Sequence, residues 1–129
     1  MLGQHIMYDV HDVDQWDMTP PTIEKLLEDC ITVTGLKEVG RVSKIFSEPE
    51  PVPGYTLAIL LSESHITAHT WPEKGAVCID LFTCRELSAR DLDSLAATVR
   101  TSLHTSQVHT MVVHRTAPEP EPPRQQLLE

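Results

Sequence analysis

The tightest constraint on this chain is one short run, YTLAILLSE at positions 55–63, apolar from Tyr55 to Leu61 but for Thr56. It has the length of a single strand, and its near-continuous apolarity suits a central place in a sheet. It falls far short of the roughly 20 apolar residues that cross a bilayer. A chain carrying it must build a sheet around it and cover that sheet with another layer.

The flanking segments supply both. HIMYDV (5–10), the stretch 39–46, AVCIDLFTC (76–84) and VHTMVVH (108–114) read as further strands. In 76–84, Val77, Ile79 and Leu81 share one face, and Cys78, Asp80, Phe82 and Cys84 the other. Helix signals stand between them. Thr19 precedes Pro20, apolar residues recur at Ile23, Leu26, Leu27, Cys30 and Ile31, and Gly35 closes the segment. Ser88 and Asp91 open a second helix, with Leu92, Leu95, Ala96, Val99 and Leu103 along one side. SEPEPVPG (47–54) is a loop by its prolines. The order β-α-β-β-β-α-β predicts an α+β fold: a two-layer sandwich, its largely antiparallel sheet bearing both helices on one face. The other face, with Thr56, Asp80 and Cys84, is left for a site or a partner subunit.

At 129 residues the chain makes one domain, assigned to 1–115, with a flexible extension at 116–129 whose TAPEPEPPRQQLLE holds four prolines. A net charge of −9 argues against nucleic acid and anionic membranes as partners. The N-terminus lacks the basic head and apolar body of a signal peptide. Three cysteines form no paired framework, so a cytoplasmic location with reduced thiols is expected.

Straight after the apolar run comes SESHITAHTWPE (62–73). Regular alternation from 55 would put Thr56, Ala58, Leu60, Ser62 and Ser64 on one face. A fold-back of 65–75 would bring His69 and Cys84 to Ser64. Ser64 and His69 are a hydrolase-type pair, yet no acid completes a triad and no glycine elbow surrounds the serine. His65 and His69 have the spacing of a helical zinc pair, but Ile66, Thr67 and Pro72 disfavour a helix, and no metal site is expected. Residue chemistry leaves these readings open, along with a strand end of satisfied polar groups.

ESHITAHTWPE followed by CIDLFTC resembles the processing-site signature of the prokaryotic S-adenosylmethionine decarboxylase proenzymes. The match is close over 63–84, and the order of elements fits over roughly 3–115. The resemblance implies a pyruvoyl cofactor made by self-cleavage. Ser64 attacks the Glu63 carbonyl, the amide becomes an ester, and β-elimination leaves chains 1–63 and 64–129. Residue 64 becomes the pyruvoyl group, which forms a Schiff base with the substrate. By the same resemblance Thr56 supports processing, His69 is the processing base and Cys84 the proton donor. Trp71, Glu73 and Phe46 then shape the substrate pocket, and His65 has a supporting role. The implied reaction converts S-adenosylmethionine to its decarboxylated form for spermidine synthesis, in a homodimer of processed protomers. Two alternatives accompany it: the same chemistry on arginine or ornithine, and an uncleaved, non-catalytic partner subunit. This chain departs from the family at Arg85–Glu86, where a glycine commonly follows the motif cysteine. It departs again in the acidic, proline-rich stretch holding Glu48 and Glu50.

Overall fold

The computed structural model describes residues 2–46 and 51–118. Its elements are β1 (Gly3–Val10), α1 (Pro20–Thr34), β2 (Glu38–Phe46), β3 (Gly54–Leu61), β4 (Ser64–Trp71), β5 (Ala76–Thr83), α2 (Ala89–Leu103) and β6 (Val108–Arg115). The strands form one sheet in the order β2-β3-β4-β5-β1-β6, each neighbouring pair antiparallel. Residues 47–50, including Glu48 and Glu50, and the extension from 119 onward lie outside the described residues.

The two-layer α+β class is as the sequence predicts, with one strand more. The fold-back expected over 65–75 is largely a strand: segment 64–71 is β4, and it fills the place between β3 and β5. Its buried positions Ser64, Ile66, Ala68 and Thr70 alternate with half-buried or exposed His65, Thr67, His69 and Trp71. That period of two is a strand signal in itself. It is muted because both sets contain polar side chains.

Alternation sets the two faces. Leu57 and Ile59 of β3, Ile79 and Leu81 of β5, and Ile6 and Tyr8 of β1 point to the helices, where Ile23, Leu27, Leu95 and Val99 complete the core. Burial pushes the Cys30 thiol up to about 12, so this cysteine packs as an inert apolar group. Among the described residues, no layer covers the opposite face. Val42, Leu60, Trp71, Met111 and Val113 lie there with 38% to 69% of their surface exposed. Among the described residues, no helix is long and apolar enough to cross a membrane.

Helix ends follow their caps. Ser88 accepts from the Asp91 amide at 3.1 Å to start α2, and Gly35, at φ 69°, closes α1 in the left-handed region. Arg85 has a use here that the family's glycine would lack. Its guanidinium donates to the Thr34 carbonyl at the C-terminus of α1, where a cation meets the negative end of the helix dipole. Arg85→Gly is expected to lower stability by about 0.5–1 kcal/mol in urea denaturation. No change in the urea midpoint would mean the contact contributes nothing.

Candidate active site

The β3–β4 hairpin turns in two residues, Ser62 and Glu63, because Leu61 pairs directly with Ser64. The Ser62 amide donates to the Lys37 carbonyl at 3.0 Å, fastening the turn to the segment before β2. Glu63 has φ 54°, a conformation that costs a side-chain-bearing L-residue energy. Strain therefore sits on the residue whose carbonyl precedes Ser64.

The turn also resets the alternation. Since Ser64 is opposite the core residue Leu61, it points to the helix side and is 8% exposed. Continuing the pattern of β3 through the turn would have placed it on the open face with Thr56; the structure corrects that. Ser64 Oγ accepts from the Cys84 amide at 2.9 Å. The Cys84 Sγ lies 3.9 Å from the Ser62 carbonyl oxygen. Cys84 is held there because β5 ends at Thr83, whose hydroxyl takes the Arg85 amide at 3.4 Å. Gln4 Oε1 accepts from the Leu87 amide at 2.8 Å and secures the chain beyond. Ser64 and Cys84 are thus neighbours, through the Cys84 backbone amide.

His69 does not join them. It pairs with Thr56, five residues from the turn on each strand, a separation of roughly 16 Å at about 3.3 Å per residue. It also lies on the opposite face of the sheet from Ser64. There Thr56 Oγ1 and His69 Nδ1 are 2.9 Å apart. The expected set is therefore split in each chain: Glu63, Ser64 and Cys84 at the turn, Thr56 and His69 at the far end of the hairpin.

The far end opens into a cleft of about 540 Å³ lined by Phe46, Gly54, Thr56, His69, Thr70, Trp71 and Glu73. Phe46 reaches it despite the intervening loop, because β2–β3 pairing sets Phe46 opposite Gly54. A Cβ at Gly54 would lie in ordinary contact with the Phe46 side chain at 3.9 Å but crowd the Thr70 carbonyl oxygen at 3.3 Å. Trp71 tilts over His69 with ring centres 6.2 Å apart. All three pocket residues expected from the sequence, Phe46, Trp71 and Glu73, share this cleft.

Around the turn is a second cavity, lined by His5, Glu63, Ser64, His65, Phe82 and Arg115. His65 stacks on Phe82 at 5.9 Å. Phe82 stands within the motif string, but nothing local marks His5 or Arg115, which strand pairing alone brings here. The Cys78 thiol, 3.6 Å from Asp9, is shifted upward by burial and by that carboxylate. Among the described residues, no group of three or more His, Cys, Asp or Glu is placed to hold a metal ion.

The S-adenosylmethionine decarboxylase family profile matches residues 4–116. An S-adenosylmethionine decarboxylase proenzyme of Archaeoglobus fulgidus is 34% identical over 89 residues, 68% of this chain and 76% of the relative. A proenzyme of the same description from Aquifex aeolicus is 34% identical over 112 residues, 84% and 79% of the respective lengths. The crystal structure of the Aquifex aeolicus adenosylmethionine decarboxylase superposes with a TM-score of 0.76 at 28% identity, covering 94% of this chain and 96% of that one.

Proposed function

Since the chain belongs to the S-adenosylmethionine decarboxylase family, we propose that it cuts itself between Glu63 and Ser64 and then decarboxylates S-adenosylmethionine. The observation that carries this reading is the turn itself. A side-chain-bearing residue in the left-handed region precedes a serine whose oxygen is held by the Cys84 amide.

The chemistry begins with Ser64 Oγ adding to the Glu63 carbonyl carbon. The C–N bond breaks, the amine takes a proton, and an ester remains. A base removes the α-proton of residue 64, and the Cβ–O bond breaks as Glu63 leaves with its electron pair as a carboxylate. The resulting dehydroalanine tautomerises, and water replaces its nitrogen as ammonia. The products are chains 1–63 and 64–129, the second beginning with a pyruvoyl group. This group supplies a ketone that condenses with the substrate amine and takes up the electrons released with CO₂. The fit lies in the turn: residue 64 is fixed at the lip of a cavity, with the Cys84 thiol on the neighbouring strand end as a source of protons.

A base is needed at Ser64, and His69 of the same chain lies too far away. A second copy answers this. The two half-sets occupy opposite ends of one hairpin, so a two-fold partner laid end over end on the open face joins each turn to the other chain's Thr56–His69 end. The exposed Val42, Leu60, Met111 and Val113 give that partner an apolar surface to cover.

The cleft favours S-adenosylmethionine over arginine or ornithine. Phe46 and Trp71 offer flat faces to a base, and Glu73 offers an acceptor for ribose hydroxyls. A linear amino acid has no base to lay against the two rings. We place the product in spermidine synthesis, as an aminopropyl donor.

An intact denatured mass spectrum of the purified protein tests the reading. Two fragments parting after Glu63 are expected, the second lacking a free amino terminus. CO₂ release should then occur with S-adenosylmethionine and not with arginine or ornithine. A single chain, unchanged on incubation, would overturn the proposal and leave the non-catalytic partner subunit.

A further inference from the structure

The cavity at the turn, about 390 Å³, contains a cation that the scheme above does not use. Arg115 is the last residue of β6, opposite Gly3 of β1. The sheet thus delivers a guanidinium to the Ser64 turn from its far edge, across β1 and β5. Glycine is required next to it, since a Cβ at Gly3 would come within 2.1 Å of the Thr83 carbonyl oxygen. No side chain at position 3 therefore stands beside Arg115.

Within the cavity His65 stacks on Phe82, and His5 Nε2, 3.8 Å from Asp80, has no hydrogen-bond partner among the described residues. Of the lining residues Arg115 alone is a permanent cation. Among the described residues Arg115 forms no salt bridge, whereas Arg41 holds both Glu28 and Glu38. An arginine lining a cavity is suited to a carboxylate, which its planar fork binds through two parallel hydrogen bonds.

Cleavage makes such a carboxylate. Before it, Glu63 carries one negative charge, on its side chain; afterwards it carries a second, on its new C-terminus, at the lip of the same cavity. Resting on the self-cleavage reading, we propose that Arg115 anchors the α-carboxylate created at Glu63. The contact is absent from the uncleaved chain. It ties the end of chain 1–63 to the last strand of chain 64–129, replacing the covalent link lost at the turn. The substrate's own carboxylate is the poorer occupant. Holding its charge would stabilise the ground state over a transition state in which that charge is vanishing.

Four proteins test this: the wild type and Arg115→Gln, each with Ser64 and with Ser64→Ala, their cleavage first read by intact mass. In the cleaved pair, Arg115→Gln should lower the melting temperature by about 3–5 °C, and in the uncleaved pair by less than about 1 °C. Arg115→Lys should recover part of the loss in the cleaved protein only. Equal shifts in both pairs, or none in either, would overturn the proposal. So would a raised KM for S-adenosylmethionine with unchanged melting, which would assign Arg115 to the substrate's carboxylate. A wild type that never cleaves defeats the functional reading along with this one. A cleaving wild type whose Arg115→Gln variant stays whole defeats this one alone.

Discussion

Ser64→Ala and His69→Ala, each without decarboxylase activity alone, should recover about one quarter of wild-type activity when co-expressed in equal amounts. The fraction follows from symmetry. Half of randomly formed dimers are mixed, and in a mixed dimer one of two sites joins an intact Ser64 to an intact His69. The other site lacks both. The expectation rests on the hairpin: Thr56 and His69 pair five residues from the turn, on the opposite face from Ser64. Side-chain rotation cannot close roughly 16 Å, a distance set by strand rise. Cleavage should follow the same rule. In the mixture only the His69→Ala chain, which keeps Ser64, can be cut, and only where its partner supplies the imidazole. Mass spectrometry distinguishes the two chains by their substitutions. A mixture as inactive as its components, with no cut chain, would mean that His69 acts within its own protomer.

How far the sequence foretold this depends on what kind of signal each residue carries. The helices were legible because caps and a 3.6-residue stripe are local: Ser88, Gly35 and the buried Ile23, Leu27, Leu95 and Val99 stand where the pattern puts them. β4 was not recognised because its inner row contains Ser64 and Thr70 and its outer row two histidines, which blunts the contrast between faces. The turn escaped for a related reason. Two-residue hairpins usually announce themselves with Asn-Gly or glycine, and Ser62–Glu63 has neither. Local rules fail here at the residues the proposed chemistry needs. Phe46, Trp71 and Glu73, named for the pocket by the resemblance, line one cleft, yet only β2–β3 pairing shows how Phe46 reaches Gly54 across the loop. Arg115 had no signal at all. A terminal-strand arginine looks like solvated surface until β6 is paired with β1.

Glu63→Gly should slow self-cleavage about five- to tenfold while stabilising the uncleaved chain. At φ 54° the left-handed backbone costs an L-residue about 1–2 kcal/mol, and glycine almost nothing. In the Ser64→Ala background, where no cut can occur, the glycine variant should therefore resist urea better. Its gain is about 1 kcal/mol, because glycine also has more freedom to lose on folding. Strain relieved as the amide yields to the ester lowers the barrier, and about 1 kcal/mol corresponds to a factor of five or more in rate. Glu63→Gln supplies the contrast. It keeps the Cβ and the strain but removes the side-chain charge, so it should cleave within about twofold of the wild type. A glycine variant that gains stability and cleaves as fast as the wild type would show that the strain plays no part in the reaction. If Glu63→Gln slows cleavage as much as Glu63→Gly, the carboxylate is what matters, and the turn is strained for another reason.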